Sequence, residues 1–209
     1  MIKKITPEYE VTIGSAYFCF IESKGDTITY ETEVIEVPTI RTLGLTRNVS
    51  ELEVWASGQM FDYINRTAGA EIALNAVTLP SNLLNKIEGA TVDIGSTINR
   101  TSDIEREFAF GYWGENNDGS LTFIWHPVCK LIPTEENHET RSNDIADPQR
   151  DYSVKILPFQ NIWRHRYSTK KATTSGYNPL TIEQFFSKPT YLSEQLPAHT
   201  PVGETINGV

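Results

Sequence analysis

Asn116-Asn117-Asp118-Gly119 stands between two aromatic and β-branched runs, residues 108–113 and 121–131. An Asn/Asp-Gly pair between such runs favours the positive-φ conformations of a tight turn, so it commits this part of the chain to an antiparallel hairpin. The rest of the sequence repeats the theme less sharply. Residues 11–22 offer Val11, Ile13, Ala16, Phe18 and Phe20; Gly25-Asp26 marks a turn; and residues 27–37 are dense in β-branched side chains until Pro38 ends them. Residues 52–56 and 70–79 read as further strands, and residues 152–159 and 163–167 as the last. At least seven strands are expected, in a β-sandwich or barrel.

One short helix belongs beside them. Leu79, Leu83, Leu84 and Ile87 fall on one helical face over residues 80–88. Pro80 suits the first turn, Gly89 the left-handed end, and Thr78 or Ser81 the cap. The helix is expected to cover an open edge or face of the sheet. Residues 39–50, 90–105 and 133–151 are polar and without period, and read as irregular connections. The segment 58–69 reads as a loop too long for an ordinary hairpin, carrying Met60, Phe61, Tyr63 and Ile64. Large apolar groups on a connection between clean strand patterns are usually there to meet another protein. The alternative is that this loop folds back to close the protomer's own core. After Thr169 the composition changes. The expected division is a β domain over 1–169 and a partly extended C-terminal arm over 170–209. Residues 170–176 then serve as a linker, and a short helix at 179–187, capped by Asn178 or Thr181, exposes Phe185 and Phe186 unless they dock elsewhere.

Composition narrows the function classes. With 39% apolar residues in 209, the chain can bury an ordinary core. No apolar run approaches the roughly 18 residues of a membrane span. No apolar stretch follows Lys3 and Lys4, so no signal peptide is expected. Without one, the sequons at Asn48, Asn65 and Asn99 are chance matches. Cys19 and Cys129 both fall in strand patterns and are expected as buried free thiols. The net charge of −9 opposes tight nucleic-acid binding, which depends on neutralising phosphates. The charge is uneven: residues 101–150 hold four basic against ten acidic groups, residues 151–209 six against four.

No constellation points to catalysis, a metal or a cofactor. His126, His138, His165 and His199 lack ligand spacing, and the acidic residues between Glu135 and Asp147 do not follow a calcium-loop pattern. There is no Gly-x-Ser-x-Gly elbow and no phosphate-binding glycine loop. The one basic–aromatic run is Trp163-Arg164-His165-Arg166-Tyr167. In a strand it puts Arg164 and Arg166 on one face and the three rings on the other. The two arginines are then candidates to pair with a neighbouring subunit's acidic 133–151 segment, an arrangement suited to head-to-tail association.

The order of parts resembles a family: the major tail proteins, or tail tube subunits, of long non-contractile-tailed phages of Gram-positive bacteria. The resemblance spans residues 11–168. It rests on Leu52-Glu53-Val54-Trp55-Ala56-Ser57-Gly58, Gly69-Ala70-Glu71-Ile72-Ala73-Leu74-Asn75, Leu79-Pro80-Ser81-Asn82-Leu83-Leu84 and Ile87-Glu88-Gly89, then Phe108-Ala109-Phe110-Gly111-Tyr112 and Leu121-Thr122-Phe123-Ile124-Trp125. It departs at Ser57-Gly58-Gln59, where the family carries an acidic turn. The resemblance implies a phage tail tube fold in a structural virion protein, not an enzyme. Such subunits form stacked, hexameric rings around a channel for DNA ejection, in the tail of the virion and in the host cytoplasm during assembly. Implied partners are other copies of itself, the tape measure, tail terminator and distal tail proteins, and passing DNA held without sequence preference. No membrane partner is implied. Met60, Phe61, Tyr63 and Ile64 become an inter-ring contact; Arg164, Arg166, Phe185 and Phe186 become a subunit interface. Two other readings stand beside it. One is a phage carbohydrate- or receptor-binding β-sandwich module that stacks sugars on Tyr112, Trp113 and Trp125. The other is the tube protein of a contractile tail or secretion machine.

Overall fold

A computed structural model describes residues 9–133 and 149–202. The protein is mainly β, built on one large antiparallel sheet with a few short helices. In chain order the elements are β1 (Glu10–Lys24), β2 (Ile28–Tyr30), β3 (Ile35–Val37), β4 (Ile40–Ala56), β5 (Gln59–Ala76), α1 (Ser81–Glu88), β6 (Thr91–Asp93), β7 (Ser96–Ile98), β8 (Phe108–Asn116), β9 (Leu121–Ile132), β10 (Arg150–Ile156), β11 (His165–Ser168), α2 (Thr169–Thr174) and α3 (Ile182–Phe186). The sheet runs β2-β1-β8-β9-β10-β5-β4, with β3 also on β1 and β11 also on β9. A separate small hairpin joins β6 to β7.

The middle of β1, residues 16–20, and the start of β8 are buried on both faces, which is why these stretches read as continuous runs without polar alternation. Ala16, Phe18, Phe20, Phe108, Phe110 and Tyr112 enter one core with Ile72 and Leu74 of β5, Val154 and Ile156 of β10, and Leu83 and Ile87 of α1. Strands β10, β5 and β4 thus curl over β1, β8 and β9, as in a β-sandwich. Tyr17, Cys19 and Ala109 point the other way, into a second core. Strand β9 changes sides between the two. Phe123 and Trp125 lie in the second core, yet so does Val128, while Cys129 and Leu131 lie in the first. A bulge accounts for the switch: Phe108 pairs with Cys129 but Phe110 pairs with His126. One extra residue inverts which face every later side chain meets. The same point divides the partners of β9, with β11 before it and β10 after it.

Several expectations are corrected here. Residues 40–50 lie within β4, and residues 59–69 of the expected loop lie in β5. The expected long strand over 27–37 is interrupted between β2 and β3. Helix α1 has Pro80 as its cap, with no side-chain capping bond from Thr78 or Ser81; the Leu83 and Leu84 N–H groups donate to the Pro80 carbonyl instead. Its expected end holds, with Gly89 at φ 71° in the left-handed region. The expected linker at 170–176 is mostly helix α2. Both cysteines are free and buried.

Phe185 and Phe186 are not an exposed subunit interface: they are 1% and 3% exposed in the second core. A capping box in which Thr181 and Gln184 bond reciprocally starts α3. The Leu180 N–H donates to the Tyr167 hydroxyl at 3.0 Å, tying the segment to β11. Phe186 then stacks on Tyr17 with centroids 4.1 Å apart and meets the Trp125 ring at 5.3 Å. Gly111 makes room for this, since a β-carbon there would sit 2.7 Å from Trp125 and 2.9 Å from Phe186. The C-terminal segment, expected as an arm from residue 170, instead covers the face of β1, β8 and β9 that α1 and β5 leave open.

Candidate interaction surface

The candidate site is a protein-contact surface on an arm. Strands β4 and β5 pair from Ile40↔Ala76 to Ala56↔Gln59, but only the half near β10 packs on the body. Beyond Asn48↔Gly69 an extra residue, Ala68, bulges from β5. From there the two strands continue as a ribbon. Its residues 49–56, eight of them, reach about 26 Å. The turn at its tip is Ser57-Gly58, with φ values of 52° and 78°. Both central residues at positive φ give the turn whose twist matches paired strands, so two residues suffice where the sequence suggested a dozen.

Cross-strand register sorts the arm into two faces. One carries Ser50, Leu52 and Val54 opposite Arg66, Ile64 and Asp62. The other carries Glu51, Glu53 and Trp55 opposite Asn65, Tyr63 and Met60. Phe61 is the extra residue of a second bulge, between the Val54↔Asp62 and Trp55↔Met60 pairs, and at 79% exposed it is the barest large apolar side chain of the arm. Leu52, Trp55, Met60, Tyr63 and Ile64 are exposed as well. The Trp55 indole N–H donates to the Glu53 carboxylate at 3.1 Å, and Glu51 accepts from the Tyr63 hydroxyl, which raises the Tyr63 pKa. Met60, Phe61, Tyr63 and Ile64, which the sequence places on a contact loop, are exposed on this ribbon, and Leu52, Val54 and Trp55, which the sequence presents as an ordinary strand, are exposed beside them. An isolated two-stranded ribbon buries neither face, and a strand pattern of this kind cannot show that a body is missing beneath it.

Arg164 and Arg166 lie on and beside β11, away from the second core. Arg164 is half-buried with its guanidinium 4.6 Å over the Trp163 ring; Arg166 is exposed. Burial, with Arg166 and Arg47 nearby, lowers the Arg164 pKa, opposed by Tyr112 and Glu10. Arg47 belongs to β4 at the root of the arm. The acidic partner expected for these arginines falls mostly in residues 134–148, outside the described residues.

Trp163 shields His126, which is fully buried between the Trp163 and Tyr112 rings. Its Nδ1–H donates to the Trp163 carbonyl at 2.9 Å, leaving Nε2 buried with no partner among the described residues. Burial therefore pushes its pKa down to about 4. A histidine with a depressed folded pKa favours the fold fully above its unfolded value near 6.5, and loses that contribution as pH falls towards 4. We expect stability to drop by about 3 kcal/mol over this window on account of His126. Burial lowers the pKa of His165 as well. Urea unfolding at pH 7 and pH 4.5 of the wild type and His126→Phe isolates the His126 share: the variant should show a much smaller difference between the two pH values.

Tyr112 and Trp125 are buried and Trp113 is half-buried against Gly14, so these aromatics form no exposed stacking platform. A cleft of about 660 Å³ lies between α1, the loop after β7 and the start of β10, lined by Glu88, Arg100, Asp103 and Tyr152 among others. Its polar groups are largely spoken for: Asn99 donates to Glu88, the Arg100 side chain to Thr91, and Asp103 accepts from the Arg100 backbone. Among the described residues no group of three or more His, Cys, Asp or Glu could hold a metal ion, and no helix is long and apolar enough to cross a membrane. No protein-family model matches the chain, and no curated protein matches its sequence.

Proposed function

We propose that this protein is a structural subunit of a phage tail tube, associating with copies of itself into stacked rings around a channel for DNA. The arm carries this reading. A ribbon of paired strands reaches away from a β body with seven large apolar side chains bare from Leu52 to Ile64 (Leu52, Val54, Trp55, Met60, Phe61, Tyr63 and Ile64). Isolated two-stranded ribbons are marginal in water, and exposed apolar surface of this extent marks a contact. An arm on one side of a subunit that docks elsewhere on the next makes a head-to-tail interface, which closes into rings or extends into filaments. The acidic balance suits a conduit along which DNA slides without being held. The tape measure, terminator and distal tail proteins would then be the partners at the ends of the tube.

Negative-stain electron microscopy of the purified chain, concentrated and aged, tests this. Tubes or stacked rings with a central hole are expected. Small discrete particles at every concentration, including after seeding with preformed tails, would overturn it.

A further inference from the structure

We propose that the acidic face of the arm docks on the arginine cluster at the arm root of a second copy of this chain. The inference rests on the self-assembly reading above and names the two surfaces that meet. One surface is Glu51, Glu53, Trp55 and Tyr63, which the register puts on a single face of the ribbon. Its carboxylates accept from the Tyr63 hydroxyl and the Trp55 indole, so acid and ring are presented side by side. Over residues 49–67 the arm holds three acidic groups, Glu51, Glu53 and Asp62, against Arg66 alone. The other surface is Arg47, Arg164 and Arg166. Among the described residues none of the three has a carboxylate at salt-bridge distance; Glu10 is the nearby acid that acts on Arg164. Guanidiniums brought near one another without an ion pair among the described residues repel one another, and an acidic surface relieves that repulsion.

The chemistry of the surfaces is matched as well as their sign. Guanidinium forks bind carboxylates and also stack on Trp and Tyr rings, so arginine fits an acid–aromatic face better than lysine would. Trp, Tyr and Arg are the side chains that dominate protein interfaces. The arm cannot satisfy its own cluster. Arg47 is four residues from Glu51 along the same strand, about 13 Å, and the ribbon leads onward from there. The arm of another copy is free of that constraint and can bring its acidic face to that place.

Reciprocal charge reversal tests the proposal. One variant carries Glu51→Arg and Glu53→Arg; a second carries Arg47→Glu and Arg166→Glu. All four positions are exposed, so both proteins should fold, checked by melting temperature, with Arg164 left on Trp163. Sedimentation velocity and microscopy follow each alone and mixed. Each variant alone should need about 100-fold more protein to assemble. An equal mixture should regain wild-type assembly, because the reversed arm of one fits the reversed cluster of the other. Variants that assemble like wild type, or a mixture that stays dissociated, overturn the docking proposal while tubes of the wild type leave the tube reading intact. Closed dimers showing the same pattern of loss and rescue would support the docking and overturn the tube. A wild type that stays monomeric overturns both.

Discussion

Phe186→Ala is expected to cost about 3–5 kcal/mol of folding stability, the usual range for emptying a large aromatic site in a packed core. In a domain of this size that is roughly a 10–15 °C fall in melting temperature. The side chain is almost fully buried, stacked on Tyr17 and in contact with Phe123, Trp125 and Phe185. Gly111 has given up its own side chain to admit it, so neighbouring backbone is already as close as it can come and the site collapses poorly. Phe185→Ala should cost a similar amount. Removing residues 169–209 goes further, because it strips Ala172, Leu180, both phenylalanines and Tyr191 from one face of β1, β8 and β9. At roughly 1.5–3 kcal/mol for each large side chain, that loss is comparable with the whole 5–15 kcal/mol by which domains are stable, so the truncated chain should fail to fold. Circular dichroism melts of the two point variants and of the truncation check this. A truncation that melts cooperatively near the wild-type temperature would restore the reading of an appended arm.

The difference between that expectation and the structure has a physical cause. Residues 108–113 and 121–131 were legible as a hairpin because turn chemistry is local and Asn116–Gly119 states it outright. Helix α1 was legible because its apolar stripe and its glycine end are both local as well. What the C-terminal segment does was not legible. Its short helices and two adjacent phenylalanines have no period, and only the unpaired face of β1, β8 and β9 explains them. That face was itself hinted at, since residues 16–21 of β1 and 108–110 of β8 are apolar at every position and a half-solvated strand would alternate. The bulge at Pro127 and Val128 hid the same fact in β9, where the alternation changes phase midway. For the site, the exposed residues of β5 were named because they looked out of place in a loop. Their partners in β4 looked in place in a strand. Register, rather than residue type, decides which of them share a face, and register is set by the Ser57-Gly58 turn and the bulges at Phe61 and Ala68.

Shortening the arm separates its role from that of the body. Deleting residues 50–56 and 59–66, so that Ser57-Gly58 closes directly on the Val49↔Thr67 pair, should abolish assembly and leave the melting temperature within a few degrees of wild type. The removed side chains are exposed and contribute no contact to either core, and exposed positions ordinarily change stability by less than about 0.5 kcal/mol each. On the proposed assembly, the interface loses its large apolar anchors in the same step, and a few such groups carry most of the binding energy of a typical interface. Phe61→Ser with Tyr63→Ser is the milder form: it should raise the assembly threshold by about 100-fold or more, at roughly 2 kcal/mol or more for each anchor truncated. The outcomes divide cleanly between packing and contact. A fall of many degrees in melting temperature would mean that the arm folds onto its own body. Normal tubes from the shortened chain would mean that assembly runs through another surface. A soluble, stable monomer that no longer assembles leaves the arm as the device by which one subunit holds the next.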